Sequence, residues 1–167
     1  MNRQHAKLTA AMVAYDRGDA KRIQHFLKVH DLAAVIGTLE GLDEETQFIL
    51  ETAAILHDIG IHISEQKYGS CSGKYQEKEG PAEARKLMEQ VGGYTEEQMH
   101  RVEYLIGHHH TYQDRKGMDY QILVEADFLV NLYEDGSGEQ TRDSVHRKIF
   151  RTKTGIQLLT DMFAMQK

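Results

Sequence analysis

The sequence has one cysteine and one proline among its 167 residues. A single thiol, that of Cys71, cannot form a disulfide within the chain, which is typical of proteins kept in a reducing compartment. No stretch approaches the roughly 18 consecutive apolar residues that a membrane-spanning helix needs. The apolar run from Leu8 to Tyr15 leads straight into charged residues, unlike a signal peptide. We therefore expect a cytoplasmic protein with no membrane partner.

Positive charge is also scarce, since the formal net charge is -6. Lysines and arginines are scattered among acidic residues instead of forming a basic stripe, which argues against a nucleic-acid partner. A small phosphorylated molecule is still compatible with this charge, because a metal ion and a few local cations can bind it. The sequence leaves the oligomeric state open, and a homo-oligomer is one possibility.

Apolar residues recur every three or four positions, and strict alternation is scarce. We therefore predict an all-α fold, a single compact helical bundle formed by residues 1–167. Asp19, Asp43 and the pair Thr95 and Gln98 are predicted to cap helix starts. The predicted helices span about residues 4–16, 20–40, 43–59, 81–91, 95–109 and 119–134, with two more between residues 137 and 165.

The segment from Ile61 to Gly80 lacks a clear period and contains several glycines and serines. We predict a long loop here, directly after the third helix, which would act as a lid. Pro81 would then lie in the first turn of the following helix.

Some polar residues lie on helix faces that should be buried. His25 shares a face of the second helix with apolar residues at spacings of four, seven and eleven. The almost wholly apolar third helix ends in His57-Asp58, just before Gly60. Buried polar groups without partners cost several kcal/mol, so these side chains are expected to have a common partner.

Two further stripes carry the same signal. The apolar stripe that passes through Ile106 continues to His109 and His110, and Asp127 occupies a core position of the sixth helix. Each residue alone has an ordinary explanation: a hydrogen-bonded core histidine, a histidine at a helix end, or a carboxylate paired with a buried cation. A shared divalent transition metal would satisfy them together. Nitrogen and oxygen ligands suit iron, manganese, nickel or zinc.

The pattern of His25, His57-Asp58 and Asp127 resembles the H…HD…D signature of the HD superfamily of metal-dependent phosphohydrolases. The resemblance covers residues Arg22 to Glu134, which would form the HD core at about residues 22–134 between flanking N- and C-terminal helices. It implies that all four residues bind the metal. His5 and His146 lie outside this segment, and substituting either is expected to change neither metal content nor turnover.

The segment around His109 and His110 also resembles the extra histidine region of HD-GYP and related proteins that bind two metals. Those relatives usually have another histidine just before a glycine-rich helix start, where this chain has Glu79, so Glu79 is a candidate substitute ligand. No GYP tripeptide follows His110, which argues against a cyclic-dinucleotide phosphodiesterase.

The resulting hypothesis is hydrolysis of a phosphate ester or anhydride, with a nucleotide or another small phosphorylated metabolite as substrate. One or two ions, with iron as the first candidate, would activate water. His57 and Asp58 are the candidate catalytic residues, and Asp58 would bridge the ions. Lys67, Lys74 and Lys78 are the candidate phosphate-binding residues. Two alternatives remain: an HD-like di-iron oxygenase, and a non-catalytic regulatory module that binds a nucleotide.

Overall fold

A computed structural model describes residues 1–165 of the chain, and these residues form nine helices and no strand. The prediction of an all-α fold is confirmed. Among these residues no helix is long and apolar enough to cross a membrane. The helices are α1 (Arg3–Tyr15), α2 (Ala20–Leu39), α3 (Glu44–Leu56), α4 (Ile61–Tyr68), α5 (Gly73–Val91), α6 (Glu96–Ile106), α7 (Met118–Glu134), α8 (Glu139–Ile149) and α9 (Lys153–Met162).

Three predicted helix starts have the expected caps. The carboxylates of Asp19 and Asp43 each accept a hydrogen bond from the backbone N–H three residues further on. Thr95 and Gln98 form a reciprocal capping box at the start of α6. These contacts satisfy backbone donors that have no partner within the helix. Local sequence therefore determines where these helices begin.

The core is built around α2, which packs against both α3 and α7, while α6 packs against α3 and α5. Helix α7 is buried along most of its length. The burial of apolar side chains on these helices is the main stabilising term of the bundle. It also brings the first half of α2, the end of α3 and the middle of α7 to a common interior region.

The predicted lid loop is wrong. Residues 61–80 contain helix α4 and the first part of α5, and only residues 69–72 separate the two helices. Gly69 ends α4 in the left-handed conformation, with φ 63°, which glycine adopts at little cost. Pro81 does not start a helix but lies inside α5.

The glycines that suggested a loop permit a close contact instead. A Cβ atom added to Gly60 would lie 2.7 Å from the backbone N of Gly80, so the turn after α3 touches the backbone of α5. A Cβ atom on Gly80 would similarly lie 2.8 Å from a methyl carbon of Ile106. At this crossing glycine permits tight packing. From the sequence it was interpreted as a residue that ends a helix or lies in a loop.

We predict that Gly60→Ala destabilises the protein by about 1 to 3 kcal/mol, because the new methyl group must push α5 away. Urea unfolding followed by circular dichroism measures the change. Gly138→Ala is the matched control, since its Cβ would meet nothing within 4 Å. Equal stability of Gly60→Ala and wild type would contradict the close packing.

Candidate metal centre

Four side chains predicted as metal ligands converge in the interior. Nε2 of His25 lies 3.1 Å from Nε2 of His57, 3.2 Å from Oδ1 of Asp127 and 3.6 Å from Oδ2 of Asp58. His57 Nε2 lies 3.6 Å from each of the same two carboxylate oxygens. His57 is fully buried, and His25 and Asp127 are buried as well. We call these four residues the HD cluster.

The ligand atoms of the HD cluster have the spacing that a bound ion requires. Transition metals hold nitrogen and oxygen at about 2.0 to 2.2 Å, which places neighbouring ligand atoms about 3 to 3.5 Å apart. The separations of 3.1 to 3.6 Å around His25 and His57 fit this requirement. The donors also suit iron, manganese, nickel or zinc.

The outer nitrogens of both imidazoles are occupied. Nδ1 of His57 donates to the carbonyl of Ala54 at 2.8 Å, and Nδ1 of His25 lies 3.0 Å from Oε2 of Glu134. If both rings are neutral with protons on Nδ1, their Nε2 atoms present lone pairs to each other. Burial opposes protonation of His25, but Asp127 and Asp58 outweigh it and raise its pKa to about 9, so the site attracts positive charge. Such outer contacts are typical of histidines that bind metals, because they fix the tautomer and the ring orientation. A cation between the two nitrogens would relieve the repulsion.

The electrostatics of the site also favour positive charge. Burial opposes ionisation of Asp58, but His57 and His109 outweigh it and lower its pKa to about 2. Burial likewise opposes ionisation of Asp127, while His25 and His57 hold its pKa well below the usual range. Both groups are therefore carboxylates at neutral pH, and Asn131 donates to Asp127 Oδ1 at 2.9 Å. Two anions in the interior, of which Asp127 is buried and Asp58 is partly buried, require compensating positive charge.

A second group of ligands adjoins the HD cluster. Oδ1 of Asp58 lies 3.1 Å from Nε2 of His109 and 3.8 Å from Nε2 of His110. Nδ1 of His109 donates to the carbonyl of Ile106 at 2.8 Å, so in the neutral ring Nε2 would present a lone pair to a cation. Asp58 thus points one oxygen at each group, which is the arrangement that a ligand shared by two ions needs.

His110 has a different environment from His109. Its Nε2 lies 2.9 Å from Oε1 of Gln76, whose amide nitrogen donates to the carbonyl of Cys71. Burial and the neighbouring His109 lower the pKa of His110 to about 4, so its ring is neutral. Since the amide oxygen of Gln76 can only accept, Nε2 of His110 donates to it. The role of His110 as a metal ligand stays a prediction. Gln76 was missed because it lies in the segment predicted as a loop.

The structure does not bring Glu79 to either group. Its carboxylate accepts hydrogen bonds from Lys67 and from the hydroxyl of Tyr68, each at 2.6 Å. Lys78 lies over the ring of Tyr68, and Lys74 lies over that of Tyr75. Because most of residues 61–80 are helical, these side chains form contacts along α4 and α5 instead of covering the HD cluster.

A pocket of about 140 Å³ borders the HD cluster. It is lined by Lys21, Arg22, His25, Phe26, Asp58, Asn131 and Glu134. None of the three lysines proposed for phosphate binding lies there. Arg22 is held by Asp19 and Glu65, whereas Lys21 is an exposed cation at the rim. Glu134 could have been found from the sequence, because it follows Asp127 by seven residues and so shares its helix face.

A helical bundle that collects imidazoles and carboxylates from three helices is the framework of a metal-binding domain. The sequence model of the HD domain matches residues 22–150, and the chain belongs to this family. HD domains form a superfamily of metal-dependent phosphohydrolases that bind divalent metals. The match ends at α8 and leaves out α1 and α9. Neither the curated proteins nor the solved structures gave a match.

We predict that Asp58→Asn lowers the metal content by at least one ion per chain, because the amide removes the charge that offsets a dication. Helical content should stay unchanged, since the apolar core is untouched. Elemental analysis and circular dichroism measure these quantities. His100→Ala, at an exposed position of α6, is the control. Unchanged metal content in Asp58→Asn would remove Asp58 from the site.

We also predict that Glu134→Gln weakens metal binding by about 10-fold, the lower end of the range for partners of metal-binding histidines. The uncharged amide polarises the His25 ring less than a carboxylate does. Calorimetric titration with Mn²⁺ measures the affinity, and the exposed Glu89→Gln is the matched control. Equal affinities in the two variants would show that Glu134 does not act through His25.

Proposed function

We propose that the protein is an enzyme that hydrolyses a phosphate ester or anhydride, with a nucleotide or another small phosphorylated metabolite as substrate. The observation that carries this proposal is the convergence of His25, His57 and Asp127 with a carboxylate, Asp58, that faces two groups of imidazoles. Membership of the HD domain family supports the reaction class.

A bound divalent ion supplies two effects, lowering the pKa of water and polarising a phosphoryl oxygen. His25, His57, Asp58 and Asp127 would hold the first ion, and Asp58 with His109 would hold a second. Iron is our first candidate, and manganese, nickel or zinc would also suit the ligands. His57 and Asp58 are the proposed catalytic residues. Their burial keeps their charges and hydrogen bonds strong.

The pocket beside the HD cluster limits what can enter. Its volume of about 140 Å³ is below the range of roughly 300 to 1,000 Å³ that accommodates whole ligands. A phosphoryl group fits this space, and the remainder of the substrate would lie on the surface. Lys21 at the rim is the side chain that we propose to contact the phosphate. It takes the role expected of Lys67, Lys74 and Lys78.

We predict phosphate release from a panel of nucleotides and sugar phosphates when the anaerobically purified protein is supplied with Fe²⁺ or Mn²⁺. Asp58→Asn should lower kcat by at least about 100-fold, because metal catalysis contributes several kcal/mol. His100→Ala should retain full turnover. Phosphate assays with and without chelator measure both effects.

Two other outcomes would replace the proposal. Oxygen uptake under reducing conditions without phosphate release would indicate a di-iron oxygenase. Tight nucleotide binding without turnover would indicate a regulatory module.

A further inference from the structure

Three polar side chains meet on a face of the bundle that the HD cluster does not use. Nδ1 of His5, from α1, lies 3.1 Å from Oε2 of Glu51, from α3. Nε2 of His30, from α2, lies 3.1 Å from the same oxygen. His5 and His30 are 1% and 3% exposed, and buried polar side chains need hydrogen-bond or ionic partners.

The hydrogen bonds of the His5 ring determine whether its Nδ1 can donate to Glu51. Its Nε2 faces the carbonyl of Phe48 at 3.3 Å and the hydroxyl of Thr52 at 3.1 Å. A carbonyl can only accept, and the Thr52 hydroxyl donates to the same carbonyl. His5 Nε2 therefore carries the proton. In the neutral ring Nδ1 presents a lone pair to Glu51, and this buried nitrogen has no hydrogen-bond partner.

In this tautomer a positive charge between His5 and Glu51, either a metal ion or a second proton, removes the repulsion. We propose that His5, His30 and Glu51 form a second metal site, which binds a Zn²⁺-like transition ion and fixes α1 to α2 and α3. The two separations of 3.1 Å match the spacing of ligands about 2.0 to 2.2 Å from one ion. Two imidazoles and one carboxylate are a donor set that zinc accepts.

The surroundings of the three residues also fit a metal site. Gln47 donates to Oε1 of Glu51 at 2.8 Å, and Nδ1 of His30 lies 3.4 Å from a carboxylate oxygen of Asp31. Together with the contact between His5 and Phe48, two of the three proposed ligands have an outer partner that fixes their orientation. Nδ1 of the buried His30 has no hydrogen-bond partner.

The proposed site borders a pocket from which a water molecule would supply the fourth ligand. His5 and Glu51 line a pocket of about 480 Å³ that also contains Glu44 and Glu45. These two carboxylates add negative potential where a cation would enter. Three protein ligands plus a water would complete a four-coordinate ion.

The site is separate from the HD cluster. His30 follows His25 by five residues and Glu51 precedes His57 by six, which are shifts of about 7 to 9 Å along the helix axes. The third ligand, His5, lies in α1, outside the matched residues 22–150. The inference therefore adds to the proposed hydrolase site. It also opposes our expectation from the sequence that substituting His5 leaves metal content unchanged.

The decisive variant is His30→Gln, whose amide can still donate to Glu51 but is a poor zinc ligand. The apoproteins are equilibrated with Zn²⁺, and bound metal is measured by elemental analysis together with the thermal midpoint. We expect wild type and His100→Ala to bind one ion more per chain than His30→Gln. Zinc should raise their thermal midpoints more than that of the variant. Equal stoichiometry in all three would overturn the site in favour of a protonated His5.

A second measurement does not depend on the folding of His30→Gln. Asp58→Asn, which lacks a ligand of the HD cluster, should still bind one Co²⁺ with the visible absorption bands of a four-coordinate ion. Adding Glu51→Gln to this protein should abolish those bands. If the single variant Asp58→Asn lacks these bands, the second site is refuted. This result does not depend on the phosphatase activity of the wild type, so it is distinguishable from failure of the proposed function.

Discussion

Imidazole nitrogens lie about 3 Å from one another and from carboxylates in the interior of this protein, and such contacts need positive charge between them, from protons or from a metal ion. The contact between His25 and His57, at 3.1 Å, is the tightest in the HD cluster. Helix α3 ends where His57 must turn towards α2, and α7 carries Asp127 where a core residue would otherwise be apolar. The bundle therefore places charge where only a bound cation or shared protons can balance it.

Much of this arrangement could be predicted from the sequence because it follows from helical periodicity. His25 and Asp127 were recognisable as polar residues on apolar faces, and the structure places both beside His57. Helix starts with capping residues were equally predictable. These signals are local, since they depend on residues within about three helical turns.

The errors came from features whose meaning depends on distant residues. Gly60 and Gly80 have the composition of a loop, yet they are required by the contact between two segments twenty residues apart. Gln76 was not identified because it lies in residues 61–80, which were predicted to form a loop. Glu79 was assigned to the site by its sequence position alone. His5, His30 and Glu51 lie on three different helices, and each alone resembles an ordinary polar residue. Only the packing of α1 and α2 against α3 shows that they meet.

The HD cluster and the proposed site of His5, His30 and Glu51 both depend on the separation of α2 and α3, because these two helices contribute ligands to each. Their separation determines the distance from His25 to His57 and also that from His30 to Glu51. The alanines Ala33, Ala53 and Ala54 are fully buried in the core to which these helices contribute. Small side chains allow helices to approach closely, and dense packing resists changes in their separation. A core that holds α2 against α3 therefore sets the ligand distances of both sites at once.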